Sequence, residues 1–436
     1  MSMNTSYATR WPLRWRLVLL GLLAAVNLLL PVERGFPPLR ILGVPFAINV
    51  VVSLFALALV SVAGRNVLVS HLRNPYTVCQ ALLVAVLVIG AARSNRLSTS
   101  LAMALLYFST FVANYITCHH IVRSEGSQRV AAVLGTVGLV AATVGIIEWT
   151  LSEPLWFYEQ FADVPSAARI VPGLAYRVWG TLGNPIVYST ALLGTLPFLV
   201  RQKRMATMVS VGLCVVAAGA TLSRTAILIG AVSALVLLTR VKRARIVVLG
   251  GVACFVLLLA ASMGQVSSLN EESELVRRIT GDDRAATQNI ETRLEAMRTL
   301  QASLLEGTVL QLLVGNGLRS SGDLVETDIR DSDTMDNTYL TLLYEIGIPG
   351  LLLYLVPLLW VLSTPCDRSM RFHKAAVVGW LAAGLSFTSL YYGSCNFPAV
   401  VSMAVLTATA GAVDPQRVRV NGLARMAGRS MASIEA

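Results

Sequence analysis

Arg224 stands between two apolar segments, in the sequence TLSRTAILIG. Few polar residues surround it, so the sequence predicts a short turn at the outer surface of a membrane helix bundle, where the positive-inside trend disfavours arginine. The planar guanidinium group of arginine suits phosphate oxygens. We therefore weigh two interpretations of Arg224: a topology anchor that contacts lipid headgroups, and an anion-binding residue that faces the outer leaflet.

A second polar group lies in MDNTYLTLLYEIGIPGLLLYL, residues 335–355, where a polar stretch meets an apolar one. Asp336 directly precedes the predicted helix, so its carboxylate either caps the helix or acts as a general base toward a hydroxyl group. Glu345 follows nine residues later, about 13 Å along the helix axis and on the opposite face. The two carboxylates therefore cannot form an acid pair on one helix.

Residues 176–188, YRVWGTLGNPIVY, combine a charge with turn-forming residues. Arg177 is followed by Gly180 and Gly183, and the Asn184–Pro185 pair is typical of a helix start. The glycines permit a close approach of the backbone. The segment is interpreted either as a re-entrant turn with a structural role or as part of a binding site.

Asn289–Gly307 has the pattern of an amphipathic helix, with leucines and other apolar residues on one face at 3.6-residue spacing. Arg293 lies on that apolar face, where it is either a snorkelling side chain or a functional cation. Gly307 is the expected end of the helix. We expect this helix to lie along the membrane surface with its apolar face down.

Histidine and metal chemistry are not indicated at the outer face. The four histidines, at positions 71, 119, 120 and 373, all fall near the predicted cytoplasmic side. The sequence contains no spacing typical of a metal site, no glycine-rich phosphate loop and no Ser-His-Asp pattern. We therefore predict no metal.

The elements that must position these residues are membrane-spanning helices. The chain has 436 residues, of which 55% are hydrophobic and 14% charged, whereas about 25% are charged in an average soluble domain. Its mean hydropathy is +0.66. The net charge of +11 does not indicate nucleic-acid binding, because the basic residues occur in small clusters between apolar segments.

About twelve segments approach the roughly 20 apolar residues that a membrane-spanning helix needs. They are residues 17–31, 41–64, 76–92, 98–118, 130–151, 184–200, 205–222, 225–239, 246–263, 338–363, 375–391 and 397–413. With the amino terminus in the cytoplasm, cytoplasmic segments hold 21 of the 35 Lys and Arg residues, as the positive-inside rule requires. We predict an all-α integral membrane protein with both termini cytoplasmic.

The predicted organisation has four parts. Residues 1–263 carry the first nine spans, residues 264–337 form a large extracytoplasmic loop with amphipathic helices, residues 338–413 carry the last three spans, and residues 414–436 form a basic cytoplasmic tail. The long loop holds seven Arg and fourteen Asp or Glu residues, a net charge of −7 in an otherwise basic protein. A large acidic loop favours chemistry at the outer surface.

Four stretches together resemble the O-antigen ligase/polymerase superfamily of bacterial envelope glycosyltransferases. They are RVWGTLGNP (177–185), the SRTA turn (223–226), the segment from Arg293 to the GNG at 315–317, and the DN that precedes GIPG by nine residues (336–350). The resemblance covers about residues 148–355 and the twelve-span layout. It implies a GT-C-like membrane fold.

The resemblance also implies a reaction. Sugar would pass from an undecaprenyl-diphosphate-linked oligosaccharide to an acceptor hydroxyl, without metal or cofactor, on the outer face of the inner or plasma membrane. Arg224 and Arg293 would hold the diphosphate and stabilise its developing charge, and Asp336 would act as the base. The further expected substrate contacts are Arg177, Asn184, Asn337 and Tyr339.

One departure from the family pattern bears on the branch. The ligase branch has histidine and asparagine where this chain has Asp336–Asn337, so the resemblance favours the polymerase branch, which joins repeat units of exopolysaccharide, capsule or O-antigen. Two alternatives stay open: a ligase that transfers glycan to lipid A-core or protein, and a transporter or flippase for a lipid-linked or anionic substrate. The expected partners are the lipid-linked oligosaccharide, the bilayer, a flippase and chain-length regulator proteins, with no nucleic acid.

Overall fold

The chain is described here by a computed structural model. The structure describes residues 14–30, 39–41, 44–46, 48–63, 66–94, 97–153, 155, 178–200, 204–221, 223–240, 295, 298–321, 337–364, 366–367, 370–385 and 392–410. Within these residues the chain is almost entirely helical, which confirms the predicted helical class.

Ten of the α-helices that the structure describes lie before the long loop. In chain order they are α1 (Arg14–Leu29), α2 (Ile48–Ala63), α3 (Asn66–His71), α4 (Pro75–Ala92), α5 (Leu97–Tyr107), α6 (Asn114–Glu125), α7 (Ser127–Leu151), α8 (Pro185–Leu199), α9 (Arg204–Gly219) and α10 (Arg224–Arg240). A π-helical segment, Phe108–Ala113, joins α5 to α6, and a short 3₁₀ turn, Gly180–Leu182, precedes α8.

Five further helices follow among the described residues. They are α11 (residues 298–306), α12 (Val309–Val314), α13 (Thr338–Ser363), α14 (Arg371–Ala383) and α15 (Gly393–Ala410). Helix α11 ends just before Gly307, which is the predicted end of the amphipathic helix. Helix α13 has the same bounds as the predicted span 338–363.

Five helices of the described part are long and apolar enough to cross a membrane by length and composition. They are Pro75–Ala92, Leu97–Glu125, Ser127–Leu151, Thr338–Ser363 and Gly393–Ala410, and five shorter helices are also apolar. These helices agree with an integral membrane protein. The count of twelve spans, the four-part division and the placement of the termini stay predictions, and the predicted span 246–263 lies outside the described residues.

Two predicted spans have different bounds in the structure. A short antiparallel hairpin pairs strand β1 (Leu39–Ile41) with β2 (Val44–Phe46), so the second span begins at Ile48 and not at residue 41. Pro45 explains this start, because proline lacks an N–H group and disfavours a helix interior. The predicted span 375–391 is also wrong in its bounds, because α14 ends at Ala383 and a turn follows.

Helices α10 and α14 pack against each other in antiparallel directions, and their contacts locate Arg224 relative to the end of α14. The hydroxyl of Ser233 donates to the carbonyl of Ala375 at 3.2 Å, and the two backbones also touch one turn nearer the start of α10. Arg224 lies nine residues before Ser233 on α10, and Gly384 lies nine residues after Ala375, directly after α14. Because the two helices are antiparallel, Arg224 and Gly384 lie at the same height along the bundle. The start of α10 and the end of α14 therefore share one end of the bundle.

Candidate functional site

The start of α13 is capped by Asn337. The side-chain oxygen of Asn337 accepts hydrogen bonds from the backbone N–H groups of Tyr339 and Leu340, both at 3.0 Å. The capping interpretation of Asp336 is therefore wrong, because the cap position belongs to its neighbour. Asp336 itself lies outside the described residues, and its role as a base stays a prediction.

Two hydrogen bonds fasten the start of α13 to the turn after α14. The backbone N–H of Thr338 donates to the carbonyl of Gly384 at 2.8 Å, and the side-chain amide of Asn337 donates to the carbonyl of Leu385 at 3.3 Å. Arg224 is level with Gly384 on the neighbouring helix. The structure thus brings two of the sequence-predicted site positions, Arg224 and Asn337, to the same end of the bundle.

Tyr339 is a structural contact in this arrangement. Its hydroxyl donates a hydrogen bond to the backbone carbonyl of Leu381 on α14, and its ring lies 6.4 Å from the ring of Tyr354, centroid to centroid. The side chain is half-buried. Its predicted role in substrate binding stays a prediction.

The SRTA turn places Arg224 as the first residue of α10. Ser223 precedes it, and the Ser223 hydroxyl accepts a long hydrogen bond from the N–H of Ala226 at 3.4 Å. A positive charge at a helix amino terminus is disfavoured by the helix macrodipole. Local helix energetics therefore do not account for an arginine at this position.

The segment after Arg177 folds onto a buried carboxylate. The side chain of Glu148, near the end of α7, is 1% exposed and accepts hydrogen bonds from the backbone N–H groups of Trp179 at 2.7 Å and Gly180 at 2.9 Å. Gly180 has φ 58°, and a Cβ there would collide with the ring of Tyr188. This part of the glycine-rich motif is a tightly packed turn.

Further contacts tie the same turn to neighbouring helices. The hydroxyl of Thr181 donates to the carbonyl of Leu28 at 2.6 Å, and the N–H of Val178 donates to the carbonyl of Ala220 at 3.2 Å. The oxygen of Asn184 caps α8. These contacts support the structural interpretation of the turn, while the substrate roles of Asn184 and Arg177 stay predictions; Arg177 lies outside the described residues.

Helix α11 packs its apolar face on the first turns of α13. Leu300 is fully buried and forms a small cluster with Tyr344, against which Leu304 and Leu340 also pack. The cluster fixes the described end of the amphipathic helix beside the start of α13. Arg293 lies outside the described residues, and its diphosphate role and the membrane contact of the helix stay predictions.

Helix α13 is broken at Gly347, in its third turn. Gly347 has φ 73° and ψ −175°, which is not helical. Two residues later Pro349 has no N–H group, so it cannot donate to the carbonyl of Glu345 as a helical residue would. The break leaves the carbonyls of Tyr344 and Glu345 in need of donors from outside the helix.

The GNG segment of the long loop supplies those donors. The N–H of Asn316 donates to the carbonyl of Tyr344 at 2.9 Å, and the N–H of Gly317 donates to the carbonyl of Glu345 at 3.0 Å. A Cβ on Gly315 would collide with the backbone of Glu345. The two sequence motifs GNG and GIPG are therefore the two sides of one contact, the loop–helix junction, formed by residues 315–317 and 344–347.

The other side of the GNG segment is held by α4 and the residues after it. The guanidinium group of Arg93 donates to the carbonyl of Gly315 at 3.2 Å. The N–H of Leu318 donates to the carbonyl of Gly90 at 3.3 Å, and the hydroxyl of Ser100 donates to the carbonyl of Leu318 at 3.2 Å. The loop is thus held between α4, α5 and α13.

The side chain of Glu345 completes the loop–helix junction. It is 2% exposed and accepts a hydrogen bond from the hydroxyl of Ser321 at 2.5 Å. It borders a cavity of about 20 Å³, which is lined by Leu87, Met103, Tyr107, Leu318, Leu342, Glu345 and Ile346; this volume is enough for about one water molecule. Sequence reasoning noticed Glu345 as a lone acid but did not find this contact, although Pro349 was the signal for a carbonyl without a helical donor.

All four histidines lie toward the other end of the bundle. His71 and His119 contact each other with ring centroids 4.7 Å apart, close to the start of α7. Glu148 is near the opposite end of α7. Burial, aided by Arg123, lowers the pKa of His71 to about 4, so His71 is neutral at pH 7. His373 is near the start of α14, and the other end of α14 contacts α13. No group of three or more His, Cys, Asp or Glu side chains in the described part of the chain could hold a metal ion.

Substitutions of Asn337 test its role as the cap of α13. Asn337→Ala removes the cap and should cost about 0.5–2 kcal/mol of folding free energy. Asn337→Asp keeps a capping oxygen and loses only the bond to the carbonyl of Leu385, so its loss should be smaller. Thermal unfolding of both purified variants in detergent measures this difference. An equal loss of stability in both variants would contradict the capping role.

The comparison with known families agrees with the motifs of the sequence. Residues 209–355 match the O-antigen ligase family. The matched segment begins within α9 and ends within α13, so it includes Arg224, the loop–helix junction and Asn337. This match confirms the resemblance to the O-antigen ligase/polymerase superfamily over that part of the chain. No curated protein matches the chain.

Proposed function

We propose, from the O-antigen ligase match at residues 209–355, that this chain is a membrane glycosyltransferase for lipid-linked glycans. Its donor is an oligosaccharide on undecaprenyl diphosphate, and its reaction joins repeat units on the outer face of the membrane for exopolysaccharide, capsule or O-antigen. The observation that carries the proposal is the shared level of Arg224 and the capped start of α13. One end of the bundle therefore contains both Arg224, a cation, and Asn337, the residue that follows the candidate base Asp336.

The proposed transfer has a balanced chemistry. The oxygen of the acceptor hydroxyl bonds to the anomeric carbon of the donor while the bond from that carbon to the diphosphate oxygen breaks. The hydroxyl proton passes to the carboxylate of Asp336. The polyprenyl diphosphate leaves with the electron pair, and the guanidinium groups of Arg224 and Arg293 stabilise the developing negative charge.

The loop–helix junction supports this assignment of roles. Arg293 and Asp336 belong to the long loop, whereas Arg224 begins a helix of the bundle. A site made from both parts needs the loop to be held against the helices. The bonds from Asn316 and Gly317 to α13 provide such a hold between residues 293 and 336.

A ligase activity is the second candidate, because the matched family is described as O-antigen ligase. The substitution of Asp336 for the histidine of the ligase branch favours the polymerase. Purified protein in lipid nanodiscs, supplied with lipid-linked repeat units, distinguishes the two. A ladder of longer products supports the polymerase, and transfer to a separate acceptor supports the ligase. Movement of the donor between leaflets without its consumption would refute both and favour a transporter.

Arg224→Ala and Arg293→Ala are each expected to lower the transfer rate about 10²- to 10³-fold, the usual cost of losing one group that stabilises charge in a transition state. Arg298→Ala is the matched control, because Arg298 is an exposed arginine of helix α11 and should keep the wild-type rate. The rate of product formation and the melting temperature are measured for all three variants. Wild-type rates in Arg224→Ala and Arg293→Ala would contradict the diphosphate role.

Asp336→Asn tests the base. The expected loss is about 10²- to 10⁴-fold in rate with an unchanged melting temperature, because Asn337 and not Asp336 caps α13. Asp333→Asn, in the same acidic run, serves as the control for loss of charge. A wild-type rate in Asp336→Asn would show that the transfer does not need this carboxylate.

A further inference from the structure

Helix α6 packs against three other helices, α1, α2 and α15. Their buried faces carry polar side chains that are at most 2% exposed. Six polar atoms of these side chains have no hydrogen-bond partner in the described part of the chain. They are Asn27 Oδ1, Asn49 Oδ1, Ser53 Oγ, Asn114 Oδ1, Thr117 Oγ1 and Ser394 Oγ.

The starts of α2 and α15 meet the π-helical segment at one point. A Cβ on Gly393 would lie 2.7 Å from Asn49 Nδ2 and 3.1 Å from Thr110 Oγ1, so the three backbones converge there. Ser394 is the next residue of α15. The unpartnered oxygens of Asn49 and Ser394 therefore lie at the same height along the bundle. This height is near the end of α14, because Trp380 of α14 donates a hydrogen bond to Asn396 near the start of α15.

Three of the other polar atoms continue from this level into the bundle. Ser53 is one helical turn beyond Asn49 on α2. Asn114 and Thr117 are one and two turns beyond Thr110, so the polar groups extend over about 10 Å along the helix axis. Since α6 packs against both α2 and α15, these groups form a polar seam between apolar neighbours.

The π-helical segment contributes to this placement. The N–H of Asn114 donates to the carbonyl of Ser109, five residues earlier, which is the wide turn of a π-helix. One extra residue in a turn rotates the following side chains by about 100° relative to an uninterrupted α-helix. Such segments are frequent where a helix must present particular side chains, and here the segment directly precedes Asn114 and Thr117.

We propose that ordered water molecules bind along this seam and link the polar atoms of Asn49, Ser53, Asn114, Thr117 and Ser394. A buried hydroxyl or amide without a hydrogen-bond partner is unfavourable, and no lipid group can satisfy it inside a bilayer. Amide oxygens accept hydrogen bonds and hydroxyl groups both donate and accept, so water can connect them in sequence. The proposal does not depend on the proposed transfer reaction.

Thr117→Val and Ser53→Ala test the seam by whether they raise or lower the melting temperature. If the hydroxyls are dry, their removal relieves an unpaired polar group and raises the melting temperature. If water bridges them, each variant lowers the melting temperature by roughly 2–4 °C, and the two losses are not additive because they share partners. Thr195→Val is the matched control, because its equally buried hydroxyl bonds within its own helix to Leu192 at 2.6 Å.

Direct detection of water decides between bridging water and other causes of destabilisation. In the full chain reconstituted in lipid, water-edited solid-state NMR should show transfer from water to the side-chain amides of Asn49 and Asn114. Thr117→Val should weaken the transfer to Asn114. Absence of transfer in the wild type would overturn the proposal, as would a melting temperature that is unchanged or raised in both variants.

Discussion

Gly347→Ala is expected to detach the long loop from α13 and to destabilise the protein strongly. Alanine at φ 73° and ψ −175°, a backbone region that is essentially restricted to glycine, costs about 1–3 kcal/mol in the backbone alone. Its Cβ would also lie 2.7 Å from the carbonyl oxygens of Leu312 and Leu313, which are backbone atoms and cannot move aside like the end of a side chain. Such overpacking adds about 1–3 kcal/mol.

Limited proteolysis and thermal unfolding measure this result. Faster cleavage within residues 298–321 and a lower melting temperature are expected for Gly347→Ala. Gly230→Ala is the matched control, because a Cβ at this α10 position would meet nothing within 4 Å and alanine favours a helix. Wild-type cleavage in Gly347→Ala would mean that the loop is held mainly by other contacts, such as those of Arg93.

Glu148→Ala is expected to unfold the turn that precedes α8. The change leaves the N–H groups of Trp179 and Gly180 without the carboxylate that accepts from them at 2.7 and 2.9 Å. Each buried donor that loses its partner costs about 1–3 kcal/mol. The loss should therefore exceed that of an ordinary surface substitution several-fold.

Two further variants sharpen this test through the melting temperature. Glu148→Gln keeps the shape of the side chain but only one acceptor oxygen, so its loss should be intermediate between those of the wild type and Glu148→Ala. Glu153→Ala removes an exposed carboxylate close to the end of the same helix and should change little. Equal melting temperatures for Glu148→Ala and Glu153→Ala would contradict the role of the buried carboxylate.

The features that the sequence predicted well are local ones. The bounds of α13 follow from a polar run that ends at Asn337 and an apolar run that begins directly after it. The end of α11 follows from Gly307. Both signals act within a few residues, where capping and backbone propensity decide the structure.

The features that the sequence did not predict depend on distant contacts or on strand pairing. Glu148 lies 31 residues before Trp179, its hydrogen-bond partner, and no periodicity connects them. The hairpin at residues 39–46 reads as part of an apolar run, and only Pro45 indicates that the helix begins later. The end of α14 at Ala383 depends on its contact with the start of α13.

The candidate site was predicted in part. The sequence indicated that Arg224 and Asn337 lie at helix starts, and the structure brings those starts to one level. It did not indicate that Asn337 takes the capping position, because Asp, Asn and Thr are adjacent there and all three can cap. Arg177, Arg293 and Asp336 lie outside the described residues, so their roles rest on the resemblance and on the proposed experiments.

The loop–helix junction also has a consequence for the order in which the chain is assembled. During synthesis the GNG segment at residues 315–317 leaves the ribosome before the carbonyls of Tyr344 and Glu345 that receive its N–H groups. The loop therefore cannot reach its final position until α13 has been inserted. Because Pro349 leaves the Glu345 carbonyl without a helical donor, the newly inserted helix in turn needs the waiting loop. Folding of the GNG segment and of the start of α13 is thus coupled through these hydrogen bonds.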